Sequence, residues 1–382
     1  AFANGTAAHA LDFDHSFTLM GQPTAPIIPA LFSLGESIGA SGRHLIEAYV
    51  AGFETTTKLV LSLRDRTEDG WHPPSTLGSF GAGVACAKLL RLDLSQIEMT
   101  LGIAASMASG LVCNFGTMSK PLHVGLGARN GVLAAKLAQS GFTANAQAIE
   151  AEVGFYEVFY PGAKPDDRPL EELGRSYELI DNGLRIKPYP CGGLTHPAID
   201  AVLEFRAQHG ITADMVESID VAVAKHTFDR IIFRVPQNGL QGKFCMPYLL
   251  SRALIDGKLF LDAFNDAAVR DQNVLRLAER VQMRPDASLK PTASGSRPCK
   301  VTIRLRSGES YSRQMDYAKG SREVPMTPDE LKEKFTACAR QSISDSSIRR
   351  ALEYVEHLEA MEDVGSLCQL LMGEGQVSGR SY

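Results

Sequence analysis

Two stretches built from glycine and alanine at helical spacing constrain the fold of this chain more than any other feature. "LGSFGAGVACAKLLRL" begins at Leu77 and "HVGLGARNGVLAAKLAQSG" at His123. Small residues every three or four positions remove the bulk that holds two helices apart. Such stretches predict closely packed, buried helices, with the first at the centre of a helical layer. Gly141 supplies the expected stop for the second.

The neighbouring segments extend the helical reading. "APIIPALFSLGESIGASG" and "RHLIEAYVAGFETTTKLVLSL" carry apolar residues at helical spacing across a Gly-Ser-Gly type break. Ser95 and Glu98 have capping-box spacing ahead of "MTLGIAASMASGLV". The pattern changes near residue 184. "VESIDVAVA" alternates apolar and polar residues as a half-buried strand does, and "KVTIRLRSGESYSRQM" reads as a hairpin turning at Ser307 and Gly308. Helices are expected between them in "HPAIDAVLEFRAQHG", "MPYLLSRALIDGK" and "DAAVRDQNVLRLAERVQM". Beyond residue 322, Thr327, Pro328 and Glu330 announce another helix. The simplest architecture is a helical domain over 1–183, a smaller α+β domain over 184–322, and helices over 323–382 that return to the first domain. The chain opens "AFANGTAAHALDFDH" without a methionine, as though inside a fold, so further residues are expected upstream.

Composition excludes some functions. A net charge of −5 offers no global basic field for nucleic acid. No apolar run reaches the ~20 residues that a membrane helix needs, and no signal-peptide pattern is visible. These absences predict a cytoplasmic protein, or a mitochondrial one if eukaryotic. The seven cysteines include no C-x-x-C pair, so free thiols are expected rather than a metal site. Walker, G-x-S-x-G and H-E-x-x-H motifs are absent, and "GLGARNG" follows no predicted strand. Metal-free acid–base chemistry is the default.

Four segments concentrate polar side chains among small residues: "HALDFDHS" (Asp12, Asp14, His15, Ser16), "GWHPPSTLG" (His72), "NFGTMSKPLHVGLGARNG" (Lys120, His123, Arg129) and "KPYPCGGLTHP" (Lys187, His196). "GKFCMPY" adds Tyr248. Each has an ordinary structural reading: a hydrogen-bonded histidine for His72, a turn residue for Asp12, an exposed strand residue for Lys187, core for Tyr248. Lys120 and His123 are harder to dismiss. They lie at i, i+3 where a helix begins, and free N–H groups there favour an anion.

Taken together, "AFANGTAAHALDFDHS", "GWHPPSTLGSFGAG", "NFGTMSKPLHVGLGARNGVLAAKLAQSGFT" and "KPYPCGGLTHPAIDA" resemble the MmgE/PrpD family over essentially the whole chain. That family includes 2-methylcitrate dehydratase, cis-aconitate decarboxylase and iminodisuccinate epimerase. The resemblance implies an all-helical domain interrupted by an α+β lid, a homodimer, no cofactor, and a small di- or tricarboxylate substrate held in the cleft between domains. It places Asp12, His72, Lys120, His123, Lys187, His196 and Tyr248 at the site. Three positions depart from the family pattern: His15 replaces an aspartate, Gln22 stands where many members have histidine, and Gly192 stands where the animal decarboxylases have histidine.

The shared chemical problem is a proton on carbon beside a carboxylate. Negative charge builds on the carboxylate and needs cations or donors aimed at it. A group with a pKa near the working pH must move the proton. This reading assigns Asp12, His72, His123 and His196 to catalysis, and Ser16, Gln22, Lys120, Lys187 and Tyr248 to substrate binding, with no metal. A dehydratase or decarboxylase is expected. An epimerase or a non-catalytic carboxylate binder is the alternative.

Overall fold

The computed structural model describes residues 1–17, 20–63, 70–292 and 295–373. Its helical part consists of α1 (Phe2–Ala10), the short strand β1 (His15–Ser16), α2 (Thr24–Ile38), α3 (Gly42–Leu63), α4 (Pro73–Thr76), α5 (Gly78–Leu89), α6 (Leu94–Ser106) and α7 (Ser119–Gln139). As the glycine–alanine pattern predicts, α5 lies at the centre, with α2, α3, α6 and α7 packed on it, and α1 on α7. The approach of α5 and α7 depends on glycine. A Cβ on Gly131 would stand 2.4 Å from the Ala82 methyl, closer than real carbon atoms come. Leu77, Phe80, Ile27, Leu31 and Phe53 fill the space around this crossing.

The first helical cap differs from expectation. Asp93, not Ser95, caps α6: its carboxylate accepts from the Gln96 N–H at 2.9 Å, and the Gln96 side chain accepts from the Asp93 N–H at 3.1 Å. A cap must directly precede the first helical residue, and α6 begins at Leu94. Thr327 and Glu330 do form the expected capping box.

Strand β2 (Arg185–Ile186) pairs antiparallel with β1, His15 opposite Ile186. The α+β part follows: α8 (His196–His209), β3 (Val216–Val223), α9 (Met246–Asp256), α10 (Gln272–Ala278), β4 (Val281–Pro285), β5 (Cys299–Leu305) and β6 (Ser310–Met315). The strand order is β4-β3-β5-β6, with β3 parallel to β4 and antiparallel to β5. The predicted hairpin is β5–β6, turning through Gly308 at φ 92°. Cys299, Val301, Ile303 and Leu305 alternate inward into a core that includes Ile199, Val202, Tyr248 and Leu249. Its α8 and α9 helices pack against the sheet. The helix expected through Met283 stops at Ala278, and Val281 begins β4. Pairing with β3 buries Val281 and Met283 on one face, and that tertiary gain overrides a weak local helical preference.

The chain passes from the helical core to the α+β core between Leu184 and Tyr189. Three closing helices, α11 (Pro328–Ala339), α12 (Asp345–Glu356) and α13 (Gly365–Leu371), run back to α2. The Val364 N–H donates to the Ala40 carbonyl at 2.9 Å, and Val364 joins the helical core. No helix among the described residues is long and apolar enough to cross a membrane.

Candidate active site

Helix α1 ends just before a tight turn in which Asp12 adopts φ 51°. Few residues other than glycine tolerate that left-handed conformation, and aspartate is among them. The turn aims the Asp12 carboxylate inward. Its Oδ1 accepts from Lys120 Nζ at 2.7 Å and lies 3.0 Å from Lys187 Nζ. Lys187 Nζ also donates to the Asp12 carbonyl at 3.2 Å. Lys120 stands in the first turn of α7, between the rings of Phe115 and Phe244. Lys187 follows β2, whose pairing with β1 brings it to the turn. Burial by itself would raise the Asp12 carboxyl; the ammoniums of Lys120 and Lys187 outweigh it and hold the group well below the usual carboxylate range. Asp12 is therefore a fixed carboxylate that gathers two cations, not an acid.

His72 caps α4 ahead of Pro73 and is buried. Its N–H donates to the Gly110 carbonyl at 3.0 Å. Gly110, at φ 110°, passes close to Ser75 and His123, where a Cβ would lie 2.9 Å from the Ser75 Cβ. His72 Nδ1 is 3.2 Å from Nδ1 of His123, one turn beyond Lys120 on α7. Two nitrogens facing each other at that distance hold one proton between them, so one imidazole donates while the other accepts. Burial first, then His9 and the Lys120 charge, lower both groups, so both are neutral near pH 7.

The remaining candidates separate. Asp12, Ser16, Gln22, His72, Lys120, Lys187 and His196 line a cavity of about 280 Å³. His123 is not among the lining residues and touches the wall at His72. Tyr248 does not reach it. It is 0% exposed inside the α+β core, and its hydroxyl donates to the Ala263 carbonyl. A tyrosine on the apolar face of α9 is core, with its polar tip satisfied locally. His196 starts α8 with Nε2 3.3 Å from the Cys191 carbonyl. His15 lies off the cavity, and its Nε2 accepts from the Thr24 N–H at 3.1 Å. Gly192 borders the cavity, where any Cβ would press on the Phe244 ring at 3.1 Å.

Sequence reasoning missed several groups. Arg185, Arg230, His226 and Arg297 also line the cavity. His9, on α1, has its Nδ1 3.3 Å from both oxygens of Asp14, and its ring lies 5.9 Å from that of His72. Only its place in the helical "AAHA" pattern, one turn from the Asp12 turn, marked it. His9, Asp12 and Asp14 bring ligand-type atoms within 4.8 Å of one another. Asp12 Oδ1 in this cluster is already engaged by the Lys120 and Lys187 ammoniums, and Asp14 by His9.

These buried groups set an acid response. Burial lowers His15 from an ordinary 6.5 to about 4, and His196 to about 3. Each binds a proton more readily in the unfolded chain, so stability is present above 6.5 and is lost as pH falls through the folded values. Asp12 and Asp14, held below their ordinary 3.8 despite burial, lose their contribution at still lower pH. The urea midpoint is therefore expected to decline steadily from pH 6.5 to 4. His15→Gln, which keeps an acceptor for Thr24, should flatten that limb; an unchanged slope would remove His15 from the account.

The cavity, lined from both the helical and the α+β parts, thus joins two buried lysines on one carboxylate with a histidine pair, a wall suited to an anion. Residues 1–168 match the MmgE/PrpD N-terminal domain and residues 189–360 the MmgE/PrpD C-terminal domain. The chain belongs to the MmgE/PrpD family. It is 28% identical to the cis-aconitate decarboxylase of Mus musculus, over 98% of this chain and 78% of that protein. It is 27% identical to that of Homo sapiens, over 98% of this chain and 79% of that protein. The cis-aconitate decarboxylase of Aspergillus terreus is 24% identical over 90% of this chain and 75% of its own length.

Proposed function

We propose that this protein is a carboxy-lyase acting on a tricarboxylate of the cis-aconitate class. The observation that carries the reading is the charge of the cavity wall. Lys120, Lys187, Lys319, Arg185, Arg230 and Arg297 line it with a single acidic residue, Asp12, among the described residues; Glu330 pairs with Lys319 and Glu323 acts on Arg185 from outside the wall. Such a wall suits a trianion, and the decarboxylase relatives agree with that choice. They lend no support to an epimerase.

The proposed reaction balances simply. Cis-aconitate carries one carboxylate on a saturated carbon beside the double bond. As that C–C bond breaks, CO₂ leaves and the bonding pair forms a new double bond to the carbon that bore it. The original π pair moves to the far alkene carbon and onto its carboxylate. One proton then adds to that carbon. Charge thus grows on a carboxylate, where Lys120 and Lys187 donate. An ammonium has three N–H groups; Lys120 spends one on Asp12 and Lys187 two, leaving three toward the cavity. His72 supplies the proton and is recharged through His123. Both are neutral in the free protein, and the charge of a bound trianion raises an adjacent imidazole toward the protonated form. Phe17, Met20, Val112 and Phe115 form an apolar wall on which uncharged CO₂ is released.

One observation favours a second reading, a hydro-lyase. Asp12 Oδ2 is buried without a hydrogen-bond partner and borders the cavity. A substrate hydroxyl would satisfy it, as in a citrate-like acid. Incubation in D₂O separates the two. Decarboxylation of cis-aconitate is expected to release CO₂ and leave one deuterium on the new methylene carbon. Water loss from citrate or 2-methylcitrate without CO₂ would select the hydro-lyase. Inertness toward all three acids would sink both.

A further inference from the structure

Lysines from four separate parts of the chain converge on the turn Leu11–Asp14. Lys120 and Lys187 meet the Asp12 carboxylate at the cavity. The other two, Lys243 and Lys334, do not line the cavity, and nothing above uses them. Lys243 Nζ donates to the carbonyls of Leu11 at 2.6 Å and Pro190 at 2.8 Å, and lies over the Phe264 ring. It is 4% exposed. Lys334, on α11, donates to the carbonyls of Phe13 at 2.6 Å, Asp14 at 3.3 Å and Lys187 at 2.8 Å, over the Phe13 ring.

Neither ammonium forms a direct ion pair with a carboxylate among the described residues. Burying a cation on backbone carbonyls alone is unfavourable, and burial pushes both groups down to about 8. An apolar side chain would fill the same volume without that cost. What the lysines supply is direction. A left-handed residue turns the carbonyls on either side of Asp12 away from any helix or strand partner, and buried carbonyls need donors. Lys243 reaches the turn from the α+β side, Lys334 from the closing helices. Lys334 also grips the carbonyl of Lys187 itself, so one ammonium ties the turn to the residue that meets it.

We propose that Lys243 and Lys334 are positioning residues that hold the Leu11–Asp14 turn, so that Asp12 gathers Lys120 and Lys187 at the cavity wall. Through Lys334, helix α11 becomes part of the active site. The proposal rests on this cavity being the carboxylate site, not on which acid reacts there.

The test uses Lys334→Met and Lys243→Met, each alone and combined with Asp12→Asn. Two readouts are taken: calorimetric affinity for tricarballylate, a saturated tricarboxylate that cannot react, and kcat with cis-aconitate. Each single variant is expected to weaken tricarballylate binding about ten-fold and to lower kcat at least as much. In the Asp12→Asn background the same replacements should change affinity by less than about two-fold, because residues acting through a shared partner are not additive. An equal factor in both backgrounds describes a merely structural lysine and overturns the proposal. So does wild-type affinity and turnover in the single variants. If Lys334→Met does not fold, Lys334→Gln and the Lys243 arm give the same comparison. A wild-type protein that binds tricarballylate yet releases no CO₂ removes the assigned reaction and leaves this test intact. One that binds no tricarballylate removes both.

Discussion

Lys120→Met is expected to lower kcat/KM for cis-aconitate about 100-fold, the effect of losing one donor aimed at charge that develops during reaction. Two features make Lys120 the sensitive position. It spends a single N–H on Asp12, so it offers the cavity more donors than Lys187 does. It is also held between the Phe115 and Phe244 rings, which fix where its ammonium points. Arginine is not a conservative substitute, because a larger planar guanidinium would stack on the rings and aim its N–H groups in a rigid fork, where a compact ammonium can reach Asp12 and the cavity together. Steady-state kinetics with a circular-dichroism check of folding decides the matter. Turnover within five-fold of wild type in a folded variant would remove Lys120 from the chemistry.

Asp12→Leu should be the most damaging single replacement for stability. It leaves two buried ammoniums at the vacated carboxylate position without a counter-ion, and breaking a buried ion pair in that way costs about 3–5 kcal/mol. A further, smaller loss, part of the ~1–2 kcal/mol that a left-handed residue costs, comes from leucine's lacking the short polar side chain that eases aspartate into φ 51°. Asp12→Asn keeps the tolerated backbone conformation and an acceptor oxygen, and loses only the charge. The two variants therefore divide the loss into electrostatic and steric parts. Urea denaturation at pH 7 measures both. A destabilisation by Asp12→Leu of less than about 1 kcal/mol would mean that the lysines find other partners and that Asp12 is no template.

Much of the molecule is legible in the chain because the relevant physics is local. The glycine–alanine spacing of α5 and α7 states how near two helices must come. Alternation in β5 and β6 states which face is buried, and Thr327 with Glu330 marks a helix start. The polar residues embedded in "GWHPPS" and "MSKPLH" stand out because packing does not explain them. Errors arose where a distant partner decided the outcome. "RVQM" became strand because β3 was there to pair with it. Tyr248 proved to be core because its hydroxyl found Ala263.

By itself, then, the sequence determined the elements, their buried faces, and the residue types whose charge or proton affinity packing could not account for. Only the tertiary structure decided which of those groups meet. Asp12 joins Lys120 across 108 positions and Lys187 across 175, and Lys334 reaches Phe13 across 321. No periodicity spans such distances. On an amphipathic helix, Lys334 reads as one more solvated charge. It becomes a half-buried donor only because α11 returns to the turn at Asp12, where the Phe13, Asp14 and Lys187 carbonyls meet its ammonium.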